Sequence, residues 1–141
     1  MANQFIHQEY LVAGNNFNSA GSASEAVKST LKKMGVASSD IRRVAIAMYE
    51  AEINMVIHAD GGTIDVEVTP QEIRIVFKDR GPGIPDIEKA MQEGFSTAPH
   101  EVRELGFGAG MGLPNMKKNT DSLEIFSTIG VGTKIVMRVN F

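Results

Sequence analysis

The stretch Thr63-Ile64-Asp65-Val66-Glu67-Val68-Thr69-Pro70-Gln71-Glu72-Ile73-Arg74-Ile75-Val76-Phe77-Lys78-Asp79 decides the fold. Ile64, Val66 and Val68 alternate with Asp65, Glu67 and Thr69. Thr69-Pro70-Gln71 then turns the chain, and Ile73, Ile75 and Phe77 resume the apolar side. A period of two belongs to a strand with one face buried. Two such strands in succession predict an antiparallel sheet covered on one side only.

What covers it lies upstream. Ser38-Ser39-Asp40 opens a helix running to about His58, with Ile41, Val44, Met48, Ala51 and Met55 at helical spacing. An earlier helix, capped by Ser22 or Ser24, runs to about Met34 with Ala23, Val27, Leu31 and Met34 on one face and Gly35 as its stop. A first strand is expected from Gln4 to Val12, and Asp60-Gly61-Gly62 reads as a turn. Downstream, Gly81 to Gly112 is irregular, with one short helix around Asp86 to Gln92. A helix from Leu113 to about Lys118 follows, then strands Ser122–Thr128 and Thr133–Phe141 joined by Gly130-Val131-Gly132. The expected architecture is α+β: a two-layer sandwich whose mixed, mostly antiparallel sheet carries helices on one face.

The chain has 141 residues, enough for a single domain spanning 1–141. Hydrophobic residues at 43% and charged residues at 22% argue against disorder. The absence of cysteine excludes disulfides, thiolate metal sites and a cysteine nucleophile, and fits a reducing, cytoplasmic setting. No apolar run approaches the ~18 residues of a membrane span, and no signal segment opens the chain. A net charge of −3 argues against nucleic acid as a direct partner. Glycine is the excess: 14 residues, of which Gly81, Gly83, Gly94, Gly106, Gly108, Gly110 and Gly112 fall in one segment.

Several enzyme classes are excluded by missing motifs. No glycine precedes a lysine, so there is no Gly-Lys-Ser/Thr phosphate loop, and no Gly-x-Ser-x-Gly elbow occurs. His100-Glu101 begins like a zinc-protease string, but Glu104 stands where the second histidine would be. Four features remain. Glu50 and Asn54 share a helix stripe at i, i+4; a carboxylate can take a proton and an amide oxygen suits a hard cation, although, taken alone, a solvated polar face is the commoner explanation of such a pair. Glu52 is expected to point elsewhere, to the surface. Asp79-Arg80-Gly81-Pro82-Gly83 ends a strand with a carboxylate beside glycines that let a ligand approach the backbone, or is a glycine turn stabilised by an aspartate. Gly106-Phe107-Gly108-Ala109-Gly110-Met111-Gly112, leading into a helix at Leu113, offers successive backbone N–H groups to an anion, or is a flexible loop. Gly130-Val131-Gly132-Thr133 is a hairpin, with Thr133 of interest beside the other three.

In this order and at these intervals the four features resemble the gyrase/histidine-kinase/MutL-type ATPase superfamily, whose nucleotide site is the Bergerat fold. Asp79-Arg80-Gly81-Pro82-Gly83-Ile84-Pro85-Asp86-Ile87, Glu93-Gly94-Phe95-Ser96-Thr97 and Gly110-Met111-Gly112-Leu113-Pro114 resemble its anti-sigma factor and switch-protein serine/threonine kinase branch. The resemblance implies ATP and Mg²⁺ as cofactors. It implies Glu50 as catalytic base, Asn54 as the Mg²⁺ ligand, Asp79 as acceptor of the adenine amino group, and Thr133 joining through water. Gly81, Gly83 and Ile84 would line the base. Gly108, Gly110, Met111, Gly112 and Leu113 would wrap the phosphates, with Arg103 reaching the γ-phosphate. It implies an anti-sigma regulatory factor that phosphorylates a Ser or Thr of a small anti-sigma-antagonist (STAS-type) protein, with a sigma factor as a further partner, no membrane partner, and a homodimer as a candidate assembly. The alternative is an ATP-gated anti-sigma binding module with little catalysis.

Overall fold

The computed structural model describes residues 6–14, 20–58, 61–81 and 112–141, without the side chains of residues 57 and 58. Five strands, β1 (Ile6–Ala13), β2 (Gly61–Val68), β3 (Glu72–Asp79), β4 (Ser122–Thr128) and β5 (Gly132–Asn140), form one sheet in the order β1-β2-β3-β5-β4. Every neighbouring pair is antiparallel, so the expected mixed component is absent among the described residues. The hairpin alternation does what its period requires: Ile64, Val66 and Val68 on β2 and Ile73 and Ile75 on β3 are fully buried on one face. The Val66↔Ile75 register sets like faces together. Each such side chain contributes roughly 1.5–3 kcal/mol of burial.

Helices α1 (Ser22–Lys33), α2 (Ser38–His58) and α3 (Gly112–Lys118) lie on that face, with α2 packed against both others. The α2 stripe expected from spacing is buried at Ile41, Val44, Met48, Ala51 and Met55. Helix α1 ends where Gly35 was expected to stop it. Gly35 takes φ 79°, its N–H donates to Lys32 O at 3.1 Å, and the Val36 N–H donates to Leu31 O at 3.1 Å. These two bonds make a Schellman closure, which favours glycine because its backbone is left-handed there.

Four local expectations are corrected. The N-cap of α1 is Gly21 and no side chain of its own segment caps it, so neither Ser22 nor Ser24 does. Glu52 does instead: it is 2% exposed, not at the surface, and its carboxylate faces the start of α1. Gly61 and Gly62 belong to β2 rather than to a turn, because both pair with β1. Gly132 likewise already belongs to β5. The helix expected around Asp86 to Gln92 lies outside the described residues. Among those described, no helix is long and apolar enough to cross a membrane.

Candidate active site

Helix α2 carries the first half of the site. Glu50 and Asn54, one turn apart, are both half-buried. The start of α3 comes up against them: a Cβ at Gly112 would lie 3.4 Å from Glu50 Oε2 and 3.4 Å from Asn54 Nδ2. The glycine therefore leaves an open cradle beside a carboxylate and an amide. One turn further along α3, the Asn115 side chain hydrogen-bonds Glu50. Burial raises the Glu50 pKa above its ordinary value, and the Asn115 bond opposes that rise. A carboxylate with a raised pKa is a better proton acceptor than an exposed one, provided it is ionised.

The end of β3 carries the second half. Asp79 Oδ1 accepts the Thr133 backbone N–H at 2.9 Å, and Thr133 Oγ1 lies 3.3 Å from Ser127 Oγ. Two glycines make this approach sterically possible. A Cβ at Gly132 would come 2.1 Å from the Asp79 carbonyl oxygen; one at Gly62 would come 2.0 Å from Lys78 O and 2.8 Å from Asp79 Cα. The backbone of Asp79 is thus flanked by a glycine on each neighbouring strand. Burial raises the Asp79 pKa and the Thr133 N–H works against the rise. Oδ1 is thus the oxygen that the described part of the fold engages.

The two halves adjoin. Met55 follows Asn54 in the chain, and its Cε lies 2.8 Å from the same Gly62 Cβ position that crowds Asp79 Cα. The structure accordingly brings Glu50, Asn54 and Gly112 together, sets Asp79 with Thr133, and places α2 alongside both. Gly81, two residues past the end of β3, is half-buried, while the Leu113 side chain packs into the core at 6% exposure. Gly83, Ile84, Arg103, Gly108, Gly110 and Met111 lie outside the described residues. No group of three His, Cys, Asp or Glu that could hold a metal occurs among the described residues.

Two residues were missed by reading the sequence. Asn115 carries no motif signal; only the fold sets it against Glu50. Glu52 is the second. Its Oε2 accepts the Gly21 and Ala23 N–H groups at 2.9 and 3.3 Å, and its Oε1 accepts the Ser24 N–H at 3.1 Å and Ser24 Oγ–H at 2.9 Å. A signal for it existed: Met48, Glu52 and Val56 fall on one i, i+4, i+8 line whose other two members are apolar.

The description of the histidine kinase-like ATPase domain matches residues 16–139. The serine/threonine-protein kinase RsbT of Bacillus subtilis (strain 168) is 34% identical over 112 residues, which are 77% of this chain and 78% of that protein. An anti-sigma F factor of Caldanaerobacter subterraneus subsp. tengcongensis is 39% identical over 103 residues, 70% of this chain and 68% of its own length. Among solved structures, the RsbU and RsbW domains of Rv1364c from Mycobacterium tuberculosis match with a TM-score of 0.62 at 17% identity, a likeness of fold. That alignment covers 97% of this chain and 32% of the longer protein. With the matched region taking in both halves of the site, the chain belongs to the histidine kinase-like ATPase domain family.

Proposed function

We propose that the chain is an ATP-dependent protein serine/threonine kinase of the anti-sigma regulatory type, acting on a Ser or Thr of a small anti-sigma-antagonist (STAS-type) protein. The observation that carries the reading is the pairing of a half-buried carboxylate and amide against Gly112 with a strand-end aspartate clamped by Thr133. The names of the relatives, a serine/threonine-protein kinase and anti-sigma F factors, support the same reading.

In this proposal Asp79 Oδ2 accepts the adenine amino hydrogen while Oδ1 stays on Thr133. Gly81, Gly83 and Ile84 border the base, and Thr133 contributes through water. The cradle at Gly112 admits a phosphate oxygen next to Asn54 and Glu50, where a side chain would fill the space. Gly108, Gly110, Met111 and the backbone at Leu113 close on the phosphates, with Arg103 at the γ end. Asn54 offers one neutral oxygen and would hold Mg²⁺. When bound, Mg²⁺ supplies neutralisation of the phosphate charge. Glu50 accepts the proton of the partner's hydroxyl. That oxygen bonds to the γ-phosphorus as the bond from phosphorus to the bridging oxygen breaks, and ADP leaves with the electron pair. Phosphoryl transfer asks mainly for positioning and charge, and these residues supply both.

A sigma factor is the proposed second partner, a homodimer the proposed assembly, a single domain over 1–141 the proposed organisation, and the cytoplasm the proposed location. The test is incubation with labelled ATP, Mg²⁺ and antagonist-type domains. Acid-stable label on Ser or Thr, lost in Glu50→Ala, is the expected result. Nucleotide binding and sigma-factor capture with no transfer would select an ATP-gated binding module instead; transfer undiminished in Glu50→Ala overturns the assignment of the base.

A further inference from the structure

The helix-side face of the sheet is apolar along three neighbouring strands until it reaches one end. Ile73, Ile75 and Phe77 run along β3, Ile135, Met137 and Val139 along β5, and Leu123 and Ile125 along β4, all in the core or packed against it. Each row then closes in a polar side chain at the same end of the sheet: Asp79 on β3, Thr133 on β5 and Ser127 on β4. The proposed adenine seat takes up Asp79 and Thr133 and leaves Ser127 without a role. Ser127 lies directly opposite Thr133 in the β4–β5 register, and the two hydroxyl oxygens are 3.3 Å apart. Thr133 is 9% exposed and Ser127 half-buried. A strand row facing a core calls for apolar residues throughout, so fold stability does not account for a hydroxyl pair at its end.

The direction of that bond decides what a ligand meets. A hydroxyl has one hydrogen to donate and two lone pairs to accept with, so one of the two oxygens donates and the other accepts. The Thr133 backbone N–H is already committed to Asp79 Oδ1 at 2.9 Å. With the Thr133 hydroxyl hydrogen on Ser127, Thr133 shows a ligand lone pairs alone. With the Ser127 hydrogen on Thr133, the Thr133 hydrogen is released towards the ligand. An ionised Asp79 is an acceptor, so the second arrangement sets an acceptor and a donor side by side. The edge of adenine has the complementary order, a donor at the 6-amino group and an acceptor at N1, whereas guanine has an acceptor at O6 and a donor at N1. A water between Thr133 and N1 preserves this order: accepting from Thr133, it keeps both its hydrogens, one for N1 and one for Asp79.

We propose that Ser127 is a positioning residue for nucleotide selection: it donates to Thr133 Oγ1, turns the Thr133 hydroxyl hydrogen towards the ligand, and so matches the seat to a base with an acceptor at N1. Ser127 does not itself touch the base. The inference rests on the reading of Asp79 and Thr133 as the adenine seat, and adds to it a residue of the edge strand, β4. Because Ser127 acts through one hydroxyl, its loss should weaken the choice of base and leave the cradle at Gly112 as it was.

The test is isothermal titration of the full chain with Mg-ATP and with the Mg complex of 1-deaza-ATP, which carries C–H in place of N1 and keeps the 6-amino group. Wild type should prefer ATP about tenfold, the worth of one hydrogen bond. Thr133→Val keeps the backbone bond to Asp79 and should abolish the preference. Ser127→Ala should lower it by roughly threefold or more, with 1-deaza-ATP bound as in wild type. Ser127→Thr, which retains the hydroxyl, should keep it. Ser127→Cys, near in shape and a weak donor, should lower the preference likewise and decides the matter if Ser127→Ala does not fold. A Ser127 that served the fold alone would weaken both ligands equally, so a preference unchanged in Ser127→Ala overturns the proposal. So does a preference that Ser127→Thr loses as fully as Ser127→Ala. A wild type that binds both nucleotides equally also overturns it and leaves the kinase reading standing. A wild type that binds neither overturns the ATP reading, and this inference with it.

Discussion

Glu50 and Glu52 stand on the same turn of α2 and should respond oppositely to neutralisation. Glu52 accepts four hydrogen bonds at the start of α1, three of them from backbone N–H groups. Glu52→Ala leaves those donors without acceptors and removes a negative charge from the positive end of a helix. A lost cap costs about 1 kcal/mol, and a hydrogen bond to a charged group about 1.5–3 kcal/mol. The four bonds share one carboxylate and do not add independently, so the expected loss for Glu52→Ala is about 3 kcal/mol, and for Glu52→Gln, which keeps one acceptor oxygen, about 1–2 kcal/mol. At ~4 °C per kcal/mol for a chain of this size, Glu52→Ala should melt ~12 °C lower. Glu50 works the other way. Its folded pKa lies above the ordinary value of 4.5, so its contribution to stability is present below that pH and declines as pH rises through the raised value. At neutral pH its ionised form is a net cost to the fold, and Glu50→Gln should be as stable as wild type or more so, while losing phosphoryl transfer. Urea unfolding followed by circular dichroism at pH 7, with transfer assayed on the same preparations, measures both. A Glu52→Ala variant within ~0.5 kcal/mol of wild type, the range of an ordinary surface change, would refute the cap. A Glu50→Gln variant destabilised as much as Glu52→Ala would refute the division of roles.

Asp79→Asn should weaken nucleotide binding by roughly 10- to 100-fold, the worth of one hydrogen bond to a charged acceptor, seen as loss of the thermal shift with Mg-ATP. An undiminished shift places the adenine elsewhere. Gly132→Ala and Gly62→Ala each drive a Cβ to about 2 Å from a carbonyl oxygen beside Asp79 and should cost about 1–3 kcal/mol or more together with nucleotide affinity, whereas Gly130→Ala, at a glycine with open space around it, should spare affinity. Asn115→Ala removes the bond that holds the Glu50 pKa down, so the acid limb of the transfer rate should move to higher pH. A limb that stays in place, or moves down, contradicts that contact.

The hairpin from Thr63 to Asp79 could be read almost residue by residue because strand periodicity is local and its buried set is apolar throughout. The same holds for the α2 stripe and the Gly35 stop. What escaped reading depends on contacts between distant segments. Gly62 and Gly132 sit in Asp-Gly-Gly and Gly-Val-Gly, which are turn chemistry by composition. Their position in strands follows from the need for the backbone of Asp79 to pass close by, a contact 54 residues apart in the Asp79–Thr133 case. Ser22 and Ser24 were the natural caps for α1 by local rules, and a carboxylate from another helix took the place because it was already buried there. The pairing of Glu50 with Asn115 has no local trace at all.

The capping of α1 by a neighbouring helix also changes what its amides report. The first turn of a helix ordinarily exchanges its hydrogens with solvent quickly, since those groups lack intrahelical acceptors and the end frays. Here the hydrogens of Gly21, Ala23 and Ser24 are held by Glu52, a residue next but one to Glu50. Their exchange rates are therefore set by the opening of the junction between α1 and α2 rather than by fraying of α1. Deuterium uptake at these positions gives a readout of how firmly the turn that bears Glu50 is seated, without a probe being placed in the site.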